Sequence, residues 1–187
     1  NLGAEGQLLF GALAAAVTAL YLPVPPAAAM IAALAAGVIA GGAWSLLAGW
    51  LDHRFRLNLL ISTLLLNYIA IYVCSYFVSF PLKDTTGNAA LNQTSMVDKT
   101  VWLPKLFRGM SVHAGFVIAA AAAVLLFVLL RYTVAGYRLR MHGSNPLFAI
   151  YGGVRRGRLM AWTMLASGGF AGLAGAVEVL GTQYRYI

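Results

Sequence analysis

The sequence predicts an all-α integral membrane protein, a polytopic helical bundle with about five membrane spans. Of its 187 residues, 61% are hydrophobic and only 10% are charged, whereas a soluble domain is about one quarter charged. Several apolar runs also approach or exceed the roughly 18 residues that mark a membrane-spanning helix. The chain therefore lacks the polar surface that a water-soluble fold needs.

The first predicted span has a broken helix start. Residues 8–22 are apolar but cover only roughly 22 Å, short of the hydrocarbon core of roughly 30 Å. The preceding Gly3-Ala4-Glu5-Gly6-Gln7 must complete the span, and two glycines beside a carboxylate indicate an unwound segment. Such backbone is tolerated at membrane depth only where protein or a cavity shields it.

The other four predicted spans are residues 27–51, 57–82, 114–130 and 159–181. A proline turn precedes the second span, and residues 52–56 are predicted as a charged loop between the second and the third. A polar loop, residues 83–112, follows the third span, and within it residues 101–110 resemble a short amphipathic or interfacial piece. Small residues four apart, Gly37 with Gly41 and Gly168 with Gly172, predict close helix packing in spans two and five.

Charge sets the orientation of these spans. The inner loops carry eight Lys or Arg residues against four in the outer loops, which is the positive-inside pattern. The eight are Arg54, Arg56, Arg131, Arg138, Arg140, Arg155, Arg156 and Arg158, and the four are Lys83, Lys99, Lys105 and Arg108. Residues 131–158 are therefore predicted to be cytoplasmic and residues 83–112 external.

Three polar residues are candidates for a solute path: Glu5, Gln7 and Asn67. Glu5 either lines a path or caps a helix N-terminus, where the helix dipole stabilises a carboxylate. Asn67 either binds solute or joins two helices, and joining is favoured. Glu178 lies near the outer end of span five, so an interfacial carboxylate is the favoured interpretation.

The cytoplasmic stretch contains a predicted short helix. Ser144 or Asn145 is suited to the N-cap and Pro146 to the first turn, while Gly152 and Gly153 stop the helix. A solvated loop is the alternative, but a short capped helix between arginines is typical of a docking element.

Several function classes are excluded by the sequence. His53, His113 and His142 have no acidic or cysteine partner at ligand spacing, so no metal site is predicted. No dinucleotide or P-loop motif is present, so any ATP and magnesium must be used by another subunit. The basic residues lie in short loops between spans, which argues against nucleic-acid binding.

Four motifs in order resemble the permease subunits of ABC importers, and more narrowly the branch near ribose permeases that serves purine nucleosides. They are NLGAEGQLL at 1–9, LLLNYIA at 64–70, GYRLR at 136–140 and GSNP at 143–146. SGGFAGLAGAVEVLG at 167–181 fits the same branch. Two positions depart: Asn58-Leu59-Leu60-Ile61 replaces a family Asn-Glu-Val-Ile, and Met141-His142 replaces Ala-Val. The missing carboxylate weakens any transfer of substrate contacts at span three.

The resemblance implies a non-enzymatic subunit that takes up nucleosides or related sugar-containing solutes by alternating access. The implied protein is a permease of roughly ten spans in the bacterial inner membrane, of which this chain, whose first residue is not Met, is expected to be a piece. Its implied partners are a second permease subunit (identical or different), cytoplasmic ATPase subunits and an external substrate-binding lipoprotein. Residues 143–154 would form the coupling helix. The implied coupling residues are Arg138, Arg140, Ser144, Asn145, Pro146, Leu147, Phe148, Ala149 and Tyr151.

Two alternatives remain open. An intramembrane enzyme on lipid-linked substrates needs clustered acidic or histidine side chains, for which Asp52 and His53 are too few. A secondary transporter would be insensitive to ATP depletion.

Overall fold

Seven α-helices follow one another in the computed structural model, which describes residues 1–85, 91–107 and 112–187. They are α1 (Ala4–Tyr21), α2 (Pro26–Phe55), α3 (Leu59–Ser79), α4 (Gly115–Tyr132), α5 (Val134–Ser144), α6 (Pro146–Tyr151) and α7 (Arg156–Glu178). A 3₁₀ turn, Lys99–Val101, follows α3, and a π-helical turn, Val179–Gln183, continues α7. Five helices (α1 to α4, and α7 with its π turn) are long and apolar enough to cross a membrane. The predicted fold class is confirmed.

The start of α1 is regular, so the prediction of an unwound segment through Gln7 is wrong. The helix begins at Ala4, and the Gln7 amide already donates to the Gly3 carbonyl at 3.2 Å. Only residues 1–3 lie outside the helix. The cause is long-range, since a side chain of α3 accepts the hydrogen bond of the otherwise unpaired Gly6 amide.

The second helix continues through the charged residues that the sequence assigned to a loop. Asp52 to Phe55 complete α2, and Arg56 ends it in the left-handed conformation with φ of 54°. No proline or glycine interrupts this segment, and His53 and Arg54 in the last turn complement the negative end of the helix dipole. His53 lies against the start of α7, where a Cβ on Gly157 would be 3.1 Å from its ring.

Helices α1, α2 and α7 form a core without space for side chains at their crossings. A Cβ added at Gly41 would lie 2.7 Å from the Cα of Gly172, and one added at Gly37 would lie 2.7 Å from the Cβ of Ala176. A Cβ on Gly168 would overlap the carbonyl oxygen of Gly41. The structure thus places the four predicted packing glycines at the α2–α7 crossing, with Gly11 of α1 against the same Gly172.

Residues 91–107 of the polar loop pack onto this core. Val97, Val101 and Leu103 are buried together with Ala33 and Leu180. Backbone hydrogen bonds tie the segment to the residues after α7, from Thr94 N to Tyr186 O at 3.0 Å and from Leu103 N to Leu180 O at 3.0 Å. Within the predicted amphipathic piece, Val101 and Leu103 are buried whereas Leu106 and Phe107 are exposed; its residues 108–110 lie outside the described residues.

Two contacts order this end of the bundle. The Trp102 ring stacks on Tyr184 with centroids 3.8 Å apart, and Tyr184 adopts the left-handed conformation with φ of 58°. Asp98 caps the 3₁₀ turn by accepting from Thr100 N at 2.8 Å, and this hydrogen bond lowers the pKa of the Asp98 carboxyl.

At the opposite end of the bundle, which we call the arginine-rich end, the chain extends beyond the packed spans. Helix α4 buries only Gly115 among its residues, and α5 and α6 extend from its end. The last turn of α4 and the start of α5 approach closely at Gly136, where a Cβ would overlap the carbonyl oxygens of Leu129 and Leu130. Thr133 caps α5 by accepting from Gly136 N at 3.1 Å.

Candidate functional site

One candidate site is the start of α1, which carries Glu5 and Gln7 and contacts Asn67 of α3. Asn67 is buried on α3, and its Oδ1 accepts from Gly6 N at 2.9 Å while its Nδ2 donates to Leu2 O at 3.1 Å. Thr63, one turn earlier, accepts from Leu2 N at 3.3 Å. The Asn67 amide therefore joins two helices, which is the role that the sequence favoured.

Gln7 is held on the same side of α1. Its side chain is only 2% exposed, and it exchanges two hydrogen bonds with Asn1, at 3.1 and 3.0 Å. Asn1 also donates to Ser167 Oγ on α7 at 3.0 Å. The start of α1 is thus tied to α3 and α7 through side-chain amides. These uncharged groups supply the hydrogen bonds that buried backbone groups need.

Glu5 differs from these two residues because it is exposed, on the first turn of α1. Its neighbour Gly6 lies against Asn67 and Ala70, which stand near the middle of the 21-residue α3. The carboxylate is therefore presented at mid-bundle depth and close to the positive end of the α1 dipole. Among the described residues it has no His, Cys, Asp or Glu cluster that could hold a metal ion.

The second candidate site is the short helix α6 at the arginine-rich end. Asn145 is its N-cap, accepting from Phe148 N at 3.0 Å, and Pro146 occupies the first turn. Ser144 is the last residue of α5, so the N-cap is Asn145 rather than Ser144. The helix stops at Gly152, and Gly153 takes a φ of 82° that favours glycine.

The apolar side chains of α6 point outward. Leu147 is 70%, Phe148 62% and Tyr151 90% exposed, whereas Ala149 is buried against its own loop. A hydrogen bond from Val154 N to Ala149 O at 3.0 Å fixes the return of the chain. The arrangement presents a small apolar surface on a capped, rigid base.

Basic residues flank this surface. Arg138 and Arg140 are exposed on α5, and Arg140 lines a shallow cleft with Tyr137, Met141 and Ser144. We call α6 with Arg138 and Arg140 the α6 surface. It combines apolar anchors with positive charge, a composition that suits docking onto another protein.

Sequence reasoning missed Gly11 and Gly175 as structural residues. A Cβ on Gly175 would overlap the carbonyl oxygen of Leu8, and one on Gly11 would overlap Gly172. The three-residue spacing of Gly172 and Gly175 was a usable signal. No sequence signal marks Gly11, because a single glycine in an apolar run does not reveal which helix it contacts.

Known proteins resemble this chain over almost its whole length. The family model described as the permease component of branched-chain amino acid transport systems matches residues 1–187. The guanosine ABC transporter permease protein of Bacillus subtilis is 34% identical over 182 residues, 97% of this chain and 52% of the relative. The glucose ABC transporter permease protein of Haloferax volcanii is 33% identical over 197 residues, 100% of this chain and 51% of the relative.

A nucleoside ABC transporter permease protein of Lactococcus lactis is 25% identical over 194 residues, 100% of this chain and 53% of the relative. The chain spans about half the length of the curated relatives it matches. No solved structure matches it. With the family model covering residues 1–187 and five helices fit to cross a membrane, the chain is a multi-pass membrane protein that belongs to the permease family of branched-chain amino acid transport systems.

Proposed function

We propose that this chain is part of the transmembrane subunit of an ATP-driven importer, and that it moves nucleosides or related sugar-containing solutes inward by alternating access. The observation that carries the proposal is the α6 surface. Leu147, Phe148 and Tyr151 are exposed on a capped helix beyond the membrane spans. Such a group of exposed apolar side chains indicates a surface that another protein covers.

An ATPase subunit is the proposed occupant of that surface. Arginines flank α6, and such an excess of positive charge marks the cytoplasmic side, where ATP is available. The rigid cap at Asn145 and the stop at Gly152 let α6 transmit a push as one body. ATP and magnesium are then used by the partner, and the permease itself is not an enzyme.

The remaining partners and the location follow from the same proposal. A second permease subunit completes the passage, an external binding lipoprotein delivers solute to the end formed by residues 91–107, and the complex lies in a bacterial inner membrane. The solute class is proposed because the relatives are called guanosine, nucleoside and glucose permeases.

Glu5 is the proposed path residue at the start of α1, supported by an exposed carboxylate at mid-bundle depth. Gln7 and Asn67 are proposed to act beside it by holding the helix start that presents Glu5, since their amides bond Asn1, Gly6 and Leu2.

Uptake tests the proposed function. Membrane vesicles containing the complete transporter should accumulate radiolabelled guanosine when ATP and the binding protein are supplied, and depletion of ATP should stop uptake at once. Uptake that survives ATP depletion would identify a secondary transporter. Accumulation of glucose without guanosine would instead assign the sugar branch of the proposed solutes.

Crosslinking tests the docking partner. With Cys74 replaced by serine, Phe148→Cys should form a crosslink to the ATPase subunit in native membranes. Met96→Cys, an exposed position at the other end of the bundle, is the matched control and should capture no ATPase. If Phe148→Cys captures none either, the coupling role of α6 is wrong.

A further inference from the structure

Helix α3 has two opposite faces of different character. One face packs on the bundle through Asn67, Ala70, Cys74 and Val78, all of which are buried. The other carries Tyr68, Tyr72 and Tyr76, which are 63%, 74% and 59% exposed, in line with the exposed apolar side chains of Ile61 and Leu65. Because residues four apart are offset by only about 40° on a helix, the three tyrosines form one stripe along the outward face.

The depth of this stripe is unusual for tyrosine in a membrane protein. Helix α3 runs from Leu59 to Ser79, so Tyr68 and Tyr72 lie within about 5 Å of its midpoint along the axis. The aromatic belt at a membrane surface accounts for Tyr76, which is near the end of the helix, but not for the two central rings.

The hydroxyl groups of the stripe have no hydrogen-bond partner in the described part of the chain. Within the described residues none of the three tyrosine hydroxyls makes a hydrogen bond, whereas the hydroxyls of Thr18 and Thr163 in other spans bond their own backbone. A hydroxyl facing lipid tails has no partner to replace water, which is unfavourable. At the level of Tyr68 and Tyr72, the outward face of α3 is therefore better suited to a polar neighbour than to lipid.

The crossings of α1, α2 and α7 and the outward faces of α2 and α4 suit a solute less well than the stripe does. The glycine crossings bring the backbones of α1, α2 and α7 into contact, so no solute passes between these three helices. The outward faces of α2 and α4 present residues such as Ile39 and Val124. Glu5, the exposed carboxylate described above, lies at the level of Tyr68, since the adjacent Gly6 contacts Asn67.

A neighbouring helix is a poorer occupant of the stripe than a solute. Close helix packing in membranes uses small residues, as the α2–α7 crossing does, whereas three tyrosine rings in a row hold a neighbour away. A nucleoside matches the stripe better, because its flat base can stack on a ring while its polar edges bond hydroxyl groups.

We propose that the outward face of α3 lines the solute path, with Tyr68 and Tyr72 stacking on the base of a nucleoside and their hydroxyls bonding its polar edges. Tyr76 stands toward the end of the path nearer residues 91–107. The inference rests on the proposed import function and adds to it the surface along which the solute moves.

Cysteine accessibility tests the exposure of the stripe to water and solute. In the complete transporter with Cys74→Ser, Tyr72→Cys should react with a charged, membrane-impermeant thiosulfonate at least tenfold faster than Val124→Cys, an equally mid-span and exposed position on α4. Guanosine should slow the reaction of Tyr72→Cys severalfold. Reaction as slow as that of Val124→Cys would show that the stripe faces lipid. Reaction unaffected by guanosine, or a disulfide between two permease subunits, would show that the stripe lies at a subunit interface. Each of these results would overturn the proposal.

Uptake separates this inference from the function on which it rests. Tyr72→Leu should lower guanosine uptake at least tenfold, with Tyr72→Phe in between, while the amount of assembled transporter and the uptake by Val124→Leu stay at the wild-type level. Normal uptake by Tyr72→Leu would refute the stripe alone. Absence of ATP-dependent uptake in the wild-type transporter would refute the proposed function instead.

Discussion

The α2–α7 crossing and the α6 surface use their residues in opposite ways. At the crossing Gly37, Gly41 and Gly172 remove side chains so that two backbones touch. On α6, Phe148 and Tyr151 expose most of their large side chains. The first region makes its contacts within this chain, while the second is proposed to make them with a partner.

This difference separates stability from function along the chain. Dispersion between close-packed backbones and side chains holds the crossing, since lipid offers no hydrophobic driving force for helix association. The α6 surface has its own local support in the Asn145 cap, so it can be altered without disturbing the bundle. Substitutions in the two regions should therefore give different phenotypes.

The largest expected effect is at the crossing. Gly172→Leu would drive a Cβ into the carbonyl oxygen of Gly37 and to 3.0 Å from the Cα of Gly41, which is backbone that cannot rotate away. We expect a loss of about 3 kcal/mol in stability from overpacking, measured as a lower midpoint in thermal unfolding of the purified protein in detergent. Gly143→Leu is the matched control, because a Cβ there meets nothing within 4 Å. Equal midpoints for the two variants would mean that the crossing is looser than the structure has it.

The next effect belongs to the α6 surface and should leave stability unchanged. Phe148→Ala removes an exposed ring that we expect to be a central contact for the ATPase. Loss of such an anchor costs about 2 kcal/mol, so the affinity measured by titrating purified ATPase subunit onto the permease should fall roughly thirtyfold. Val134→Ala, also exposed but on α5, should bind as the wild type does. A thermal midpoint lowered by Phe148→Ala would place the ring in the fold rather than at the docking site.

Locally encoded features were predictable from the sequence. The order Asn145, Pro146 and then Gly152 contains a cap, a first-turn residue and a stop within eight positions, and the structure has the short helix there. The five apolar runs likewise gave the spans, because length and hydropathy are read along the chain alone.

Features that depend on distant contacts were not predictable. The Gly6 amide is satisfied by Asn67, 61 residues away, so the helical start of α1 could not be inferred from the glycines beside it. Val97 and Leu103 pack against Leu180, although the polar residues around them indicated an exposed loop. The functions of Glu5, Gln7, Asn67 and the α6 surface stay predictions, since they concern molecules beyond this chain.

Asn67 adds to the comparison between the packed bundle and the α6 surface, because it makes polar contacts inside the bundle. Asn67→Leu keeps the size of the side chain but leaves Gly6 N and Leu2 O without their partner. We expect a loss of about 1.5 kcal/mol in stability, seen as faster amide hydrogen exchange at Gly6 together with a lower thermal midpoint. Ser75→Ala, at an exposed position on the same helix, should change neither. Unaltered exchange at Gly6 would show that α1 begins without help from α3.

The smallest effect is at the cap of α6. Asn145→Ala removes the acceptor for Phe148 N, which costs about 1 kcal/mol for a typical N-cap, and it should fray α6 alone. Asn145→Asp keeps an acceptor in place and serves as the control. The global thermal midpoint should hold for both variants, whereas ATPase binding should weaken roughly fivefold in Asn145→Ala only, because the apolar side chains must then be ordered during docking. Such a result would show that a change too small to affect the fold still weakens ATPase binding, as expected if α6 acts as one rigid body. Equal binding by the two variants would mean that the cap does not order the α6 surface.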